Sequence, residues 1–227
     1  MMTRKVAVLS LALAPYVQSF AAAEDKPKDK IAQSPEHGQP VVQISPIFNQ
    51  LLLLSFPSGF KAVFEQTNGS RTGYIRESVL EGETVDQWSE MITVTGAKGL
   101  AANPNVTPQL FAGQIAAGFN RACPETFSSK ELSAAKISGQ DATALVASCG
   151  TVQSGNTKRS ESALLIAIKG SADYYTIQWA ERGPASGQPV VLSDEKWADR
   201  FRRLNPIKVC PRIPGETEPY PSCLSQK

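Results

Sequence analysis

The residues able to do chemistry in this chain are few, and their spacing excludes more than it suggests. One histidine, His37, occurs in 227 residues, inside Ser34-Pro35-Glu36-His37-Gly38. An imidazole acting as a general base needs an orienting partner in a rigid surround, which a Pro- and Gly-flanked segment does not supply. That argues against Ser-His-Asp and Cys-His nucleophilic catalysis, and a single histidine cannot form a His pair on zinc. Four cysteines, Cys123, Cys149, Cys210 and Cys223, contain no Cys-x-x-Cys spacing. Metal and redox readings therefore lack their motif. An even number in an exported chain reads as two disulfides, with three connectivities open. Proximity in sequence favours Cys123 with Cys149, tying a helix end to a neighbouring strand, and Cys210 with Cys223, closing a Pro-rich tail. No catalytic residue, cofactor or metal site is assigned.

The densest acidic stretch is Glu81-Gly82-Glu83-Thr84-Val85-Asp86-Gln87-Trp88. Thr84 followed three residues later by Gln87 has the spacing of a capping box, which predicts a short helical turn. Glu81, Glu83, Asp86 and Trp88 also form a candidate binding loop for a cation or a basic partner, although they lack the oxygen spacing of a calcium loop. A hydrolase working without histidine would draw on carboxylates, with Glu77, Glu81, Glu83 and Asp86 as candidates. A serine with a lysine base would come from Ser128, Ser129 and Lys130.

These residues need elements to position them. Leu51 to Leu54, continued by Ser55-Phe56 and stopped at Pro57-Ser58-Gly59, predicts a buried strand bounded by a turn. Phe60, Ala62 and Phe64 lie on one face of the next segment, and Asn68-Gly69 separates it from Arg71 to Leu80, a hairpin signal. Met91 to Thr95 reads as a further strand. Thr107-Pro108 marks a helix start, with Phe111, Ile115, Phe119 and Ala122 as its core stripe. Gly113 and Gly118 each lower its propensity by about 1 kcal/mol, so packing must support it. Ala142 to Val152, Glu161 to Lys169 and Asp173 to Glu181 predict an antiparallel meander, with Tyr175, Ile177 and Trp179 on its packed face. Ser193-Asp194-Glu195 opens a second helix carrying Trp197, Phe201 and Leu204. Its closing Arg200, Arg202 and Arg203 complement the macrodipole and leave an anion site as the alternative. The order predicts an α+β fold, an antiparallel sheet covered by helices.

Composition supports one ordinary domain. Arg4 and Lys5 precede an apolar run from Val6 to Val17, broken by Pro15 and followed by Ala21-Ala22-Ala23. That is the pattern of a secretory signal peptide over residues 1–23, too short for a transmembrane anchor. The chain has 23 Lys+Arg and 21 Asp+Glu. Removing Arg4 and Lys5 balances them, which argues against nucleic acid or another polyanion as partner. Residues 24–47 read as a flexible Pro/Lys-rich leader, residues 48–205 as the α+β domain, and residues 206–227, with five prolines, as an irregular disulfide-stapled tail.

At Phe56-Pro57-Ser58-Gly59-Phe60-Lys61 the sequence resembles the opening of the Mog1/PsbP-like family, where such a turn leads into the first hairpin. Gly82 to Trp88 is similar to a Gly-Glu-Thr-x-Asp-x-Trp segment of exported bacterial proteins of unassigned role. The resemblance follows the order of elements over residues 48–205, and it implies a non-enzymatic binding or assembly role. Together the readings point to an exported, periplasmic or extracellular, non-catalytic interaction protein: an envelope adaptor, a secretion accessory or an inhibitor. Its partner would be another protein of the envelope or exterior; the alternative is a histidine-independent hydrolase of cell-wall or polysaccharide substrates.

The secreted protein should begin near Glu24 and carry no free thiol. Intact mass and thiol counting on the denatured, unreduced chain check both, and four titrating thiols would overturn the disulfide reading.

Overall fold

The leucine run decides the architecture, because it is buried on both faces. In the computed structural model, which describes residues 39–155 and 157–225, β2 (Gln50–Phe56) has every residue buried. Leu52, Leu54 and Phe56 enter the main core, whereas Leu51 and Leu53 pack against Cys210, Tyr220 and Cys223. A two-faced strand needs two covering layers. β1 (Val41–Ile47) and β10 (Lys208–Pro211) flank β2 antiparallel, giving a three-stranded sheet of order β1-β2-β10.

Two expected boundaries move as a result. The leader does not extend to residue 47, since Val41–Ile47 pairs residue by residue with β2. The tail is not merely an irregular appendix, since β10 extends the sheet beside β2, and Tyr220 with the short helix α3 (Pro221–Ser225) covers the second face of β2. The expected signal peptide and leader residues 24–38, with His37, lie outside the described residues.

A second sheet has seven strands in the order β3-β4-β5-β9-β8-β7-β6. Its members are β3 (Phe60–Thr67), β4 (Gly73–Leu80), β5 (Glu90–Ala97), β6 (Phe127–Ile137), β7 (Gln140–Ser154), β8 (Thr157–Lys169) and β9 (Tyr174–Pro184), all antiparallel to their neighbours. The fold is α+β, as the order of elements predicts. The hairpin at Asn68-Gly69 forms, though through a longer turn. Asn68 Oδ1 accepts from the amides of Thr72 (2.8 Å) and Gly73 (3.0 Å), and the positive φ falls on Arg71 (54°). Thr84 and Gln87 also form a turn, not the expected helical one: each amide donates to the other residue, at 3.0 Å to the Gln87 carbonyl and 3.1 Å to Thr84 Oγ1.

One face of the large sheet meets the small sheet and helix α2 (Asp194–Arg203) over Tyr175, Ile177 and Trp179. Close approach is needed where the β1–β2 turn crosses β5. A Cβ on Gly96 would lie 2.7 Å from Ile47 Cγ2 and 2.9 Å from the Phe48 ring, so only glycine fits there. Helix α2 starts at Ser193, whose Oγ accepts from the Lys196 amide (3.4 Å).

Arg200, 5% exposed, holds α2 to the sheet. Its guanidinium carbon lies 4.9 Å from the ring centroids of both Trp179 and Trp197, and its Nη2 pairs with Glu90 (3.1 Å) and Glu181 (2.9 Å). Trp179 Nε1 donates to the same Glu90 (2.7 Å), and Lys196 reaches Glu181. The other two basic residues also have partners within the fold. Arg202 pairs with Asp199 (3.0 Å), and Arg203 lies over Trp179. Of the cluster read as a possible anion site, Arg200 and Arg203 are thus engaged with the sheet and Arg202 with its own helix.

Arg200→Ala leaves two carboxylates facing buried indoles and should cost about 3 kcal/mol. Arg202→Ala removes an exposed pair and should cost under about 0.5 kcal/mol. Denaturant titration of both variants tests the ranking, and equal costs would show that Arg200 is not what holds α2.

Candidate functional site

The other face of the large sheet carries one helix, with the expected loop residue Trp88 packed near it, whereas Ser128 and Lys130 lie on the α2 face. Helix α1 (Pro108–Ala122) begins at Thr107, whose Oγ1 accepts from the Leu110 amide (3.2 Å), with Pro108 at the first helical position. Its buried residues are Pro108, Ala112 and Ala116; of the expected stripe, Ile115 and Phe119 pack half-buried against the core, Phe111 is half-buried and Ala122 is exposed. Alanine lets the helix backbone approach the sheet closely, which pushes the large side chains to its flank. Phe111 rests on the Tyr174 ring (centroids 5.0 Å), and Phe119 is half-buried.

That flank lines a cleft. Ile115, Gly118, Phe119 and Ala122 form its helical wall, and Cys149, Val152 and Glu161 form its sheet side, around an open space of ≈ 250 Å³. Cys123, the C-cap of α1, is bonded to Cys149 on β7, so a covalent link fixes the helix end against the cleft. The second disulfide joins Cys210 to Cys223 in the tail. Both bonded pairs are the nearest-neighbour ones.

The charge beside the cleft is balanced. Glu161 Oε2 accepts from Arg182 Nε (3.0 Å), and the Arg182 guanidinium stacks 3.7 Å from the centroid of the Trp88 ring. Trp88 is buried with Val79, Met91, Ala116 and Ala180. Of the four residues of the expected binding loop, Trp88 is thus packed inward. Glu83 is turned back on its own loop, accepting from the Ser89 amide (3.0 Å) and hydroxyl (2.6 Å). Glu81 and Asp86 remain exposed. Ser128 donates to the Val190 carbonyl (3.2 Å), Ser129 is exposed, and Lys130 pairs with Asp194 (2.6 Å) and not with either serine.

A larger space, ≈ 410 Å³, lies between Phe48-Asn49 and residues 212–216. Its walls are a turn and a tail loop, and its carboxylate, Glu216, already accepts from the Ser222 amide (2.9 Å) and hydroxyl (2.6 Å). Rigid elements position a site better than loops do, which favours the α1 cleft.

Sequence reasoning named Glu77 as a candidate acid but missed the row of residues it belongs to. Phe64, Glu77, Thr93, Gln178, Leu165 and Leu145 are successive partners across β3, β4, β5, β9, β8 and β7, and so share one face. Under α1, Leu165 is 1% exposed; away from it Gln178, Thr93 and Glu77 are half-buried, and Phe64 is 39% exposed. The helix covers one side of the row and leaves the other open. Glu77 sits in the open part, and burial raises its carboxyl above the ordinary range. No described residue gives it a hydrogen bond or an ion pair. The signal was available in the alternation of Ile75, Glu77 and Val79, which puts a carboxylate on an otherwise apolar face.

No family model matches this chain, and no curated protein does. The Mog1/PsbP resemblance thus gains no support from either. Nine solved chains match. One is LpqN, involved in cell envelope biogenesis of Mycobacterium tuberculosis, at 12% identity, covering 78% of this chain and 87% of that one with a TM-score of 0.33. A TM-score of 0.33 does not establish a shared fold. Two disulfides fit an oxidising compartment and so an exported chain. Among the described residues no helix is long and apolar enough to cross a membrane.

A carboxyl raised on folding favours the protonated protein. Stability from Glu77 is full below the ordinary carboxyl range, about pH 4, and is lost as pH rises through the raised folded value. Glu77→Gln should therefore raise the thermal midpoint at pH 7 by about a degree or two, a small gain because the group still reaches water. The gain should vanish below about pH 4. A loss at pH 7 in a pH series of melts would mean that the charge has a partner in the fold.

Proposed function

We propose that this chain is an exported, non-catalytic interaction domain of the cell envelope or exterior, an adaptor, secretion accessory or inhibitor, which holds an apolar anchor of a partner protein beside α1. The observation that carries the reading is the cleft of Ile115, Gly118, Phe119, Cys149 and Val152. Its volume, ≈ 250 Å³, falls below the usual range of small-molecule sites, about 300–1,000 Å³. It suits one large side chain, and interface energy concentrates where such an anchor fills a desolvated pocket.

Its chemistry points the same way. Glu161 is the only titratable side chain in the lining, and its charge is paired with Arg182. The pair orients the rim without supplying a proton acceptor free for catalysis. The helix end is fixed by the Cys123–Cys149 bond, which preorganises the pocket and lowers the ordering cost of association.

Gly118 makes the reading testable without damaging the fold. A Cβ there meets nothing closer than the end of the Arg121 side chain, at 3.8 Å. Gly118→Leu should favour the helix by roughly 1 kcal/mol while filling the cleft. Native mass spectrometry of wild-type protein taken gently from its host should show a stoichiometric second protein, and Gly118→Leu should lose it while melting no lower. Retention of the same partner by Gly118→Leu would overturn the site; a bare wild-type monomer that clears a cell-wall or polysaccharide zymogram would overturn the class.

A further inference from the structure

The uncovered part of the α1 face contains a carboxylate that costs the fold something and receives nothing back from it. Glu77 is half-buried in mid-strand, with Phe64 directly across on β3 and Thr93 directly across on β5. Cβ atoms of such pairs lie about 5 Å apart. Gln178 continues the row on β9. Lys61 shares the face two positions along, opposite Val79, but among the described residues it makes no ion pair with Glu77. An aromatic face, an unpaired anion and two hydrogen-bonding side chains therefore stand in one line, spanning about 15 Å at the usual strand spacing.

We propose that this row is a second contact of the same partner, and that Glu77 receives a basic side chain, arginine or lysine, which the partner presents while its apolar anchor occupies the α1 cleft. The inference rests on the reading of that cleft as a protein-binding site. The argument is charge complementarity. A guanidinium entering the row gains the carboxylate that no internal cation satisfies, lies against the Phe64 ring, and leaves Thr93 and Gln178 for its remaining donors or the adjoining backbone. Glu77 is better solvated before binding than after it, so the pair also penalises partners lacking the cation, which is a source of specificity.

The partner must approach the face and not the edge. β3 is an edge strand, but its register shifts between Ala62 and Phe64, and Lys61 stands on it. A bulge and an edge lysine are the devices by which proteins block strand addition.

The test uses the mature oxidised protein and two acetylated, amidated pentapeptides, Thr-Val-Arg-Val-Thr and the same sequence with uncharged citrulline at its centre, followed by amide and side-chain NMR. The arginine peptide should shift Phe64, Glu77, Thr93 and Gln178 together, bind at least about tenfold tighter than the citrulline peptide, and lose that advantage in Glu77→Gln. A citrulline peptide that binds as well, or shifts spread equally over exposed Glu81 and Asp86, would overturn the proposal. Shifts confined to Ile115, Gly118 and Phe119 would overturn it too, while leaving the anchor cleft intact. Butylguanidinium binding as tightly as the arginine peptide would also count against it, because the row would then be a site for a free cation.

Discussion

One helix cannot cover seven strands. An α-helix with its side chains is about 10–12 Å wide, whereas seven strands at about 4.8 Å spacing span close to 30 Å. On the first face of the large sheet the deficit is met by a second sheet together with α2. On the other, α1 lies mainly over β7 and β8, reaching β6 and, through Phe111, the Tyr174 ring of β9, and the Trp88 loop closes one end. What remains must be polar enough to stand in water yet is too recessed to be fully solvated. Glu77, Thr93 and Gln178 answer that compromise. The candidate site is thus a consequence of layer arithmetic, with the cleft at the helix flank and the polar row beyond it.

The covered face is arranged for the opposite purpose. Trp179 and Trp197 enclose Arg200, and Glu90 and Glu181 meet its charge. A buried guanidinium adds less net stability than an apolar side chain of equal volume would, but its Nη2 bridges Glu90 on β5 and Glu181 on β9 and so fixes the rotation of α2 about its own axis. Helix, β5 and β9 are thereby locked in one register, and the strands that carry Thr93 and Gln178 on their reverse side inherit that rigidity. Positional precision on the open face is supplied from the closed one.

Much of this was legible in the residues. The leucine run, the Thr107-Pro108 start, the meander and the second helix follow from period and capping, which are local. What escaped was set by tertiary partners. Val41–Ile47 lies within a Pro-rich stretch and becomes a strand only by pairing with β2. β6 is polar and bulged at Leu132, so its alternation breaks midway. The large residues of α1 outweighed its alanines in any amphipathic count, whereas sheet contact rewards closeness over bulk. Thr84 and Gln87 have the spacing of a helix cap, but Trp88 must pass beneath Arg182, and a turn directs it there. Glu77 was noticed as an acid; that it lacks a partner depends on neighbours from three other strands.

The placement of β2 between β1 and β10 has a consequence for biogenesis. Leu51–Leu53 find their second partner only in residues 208–211, near the far end of the chain. The small sheet cannot close before β10 has been made, more than a hundred residues after β2. Long-range pairings of this kind delay folding.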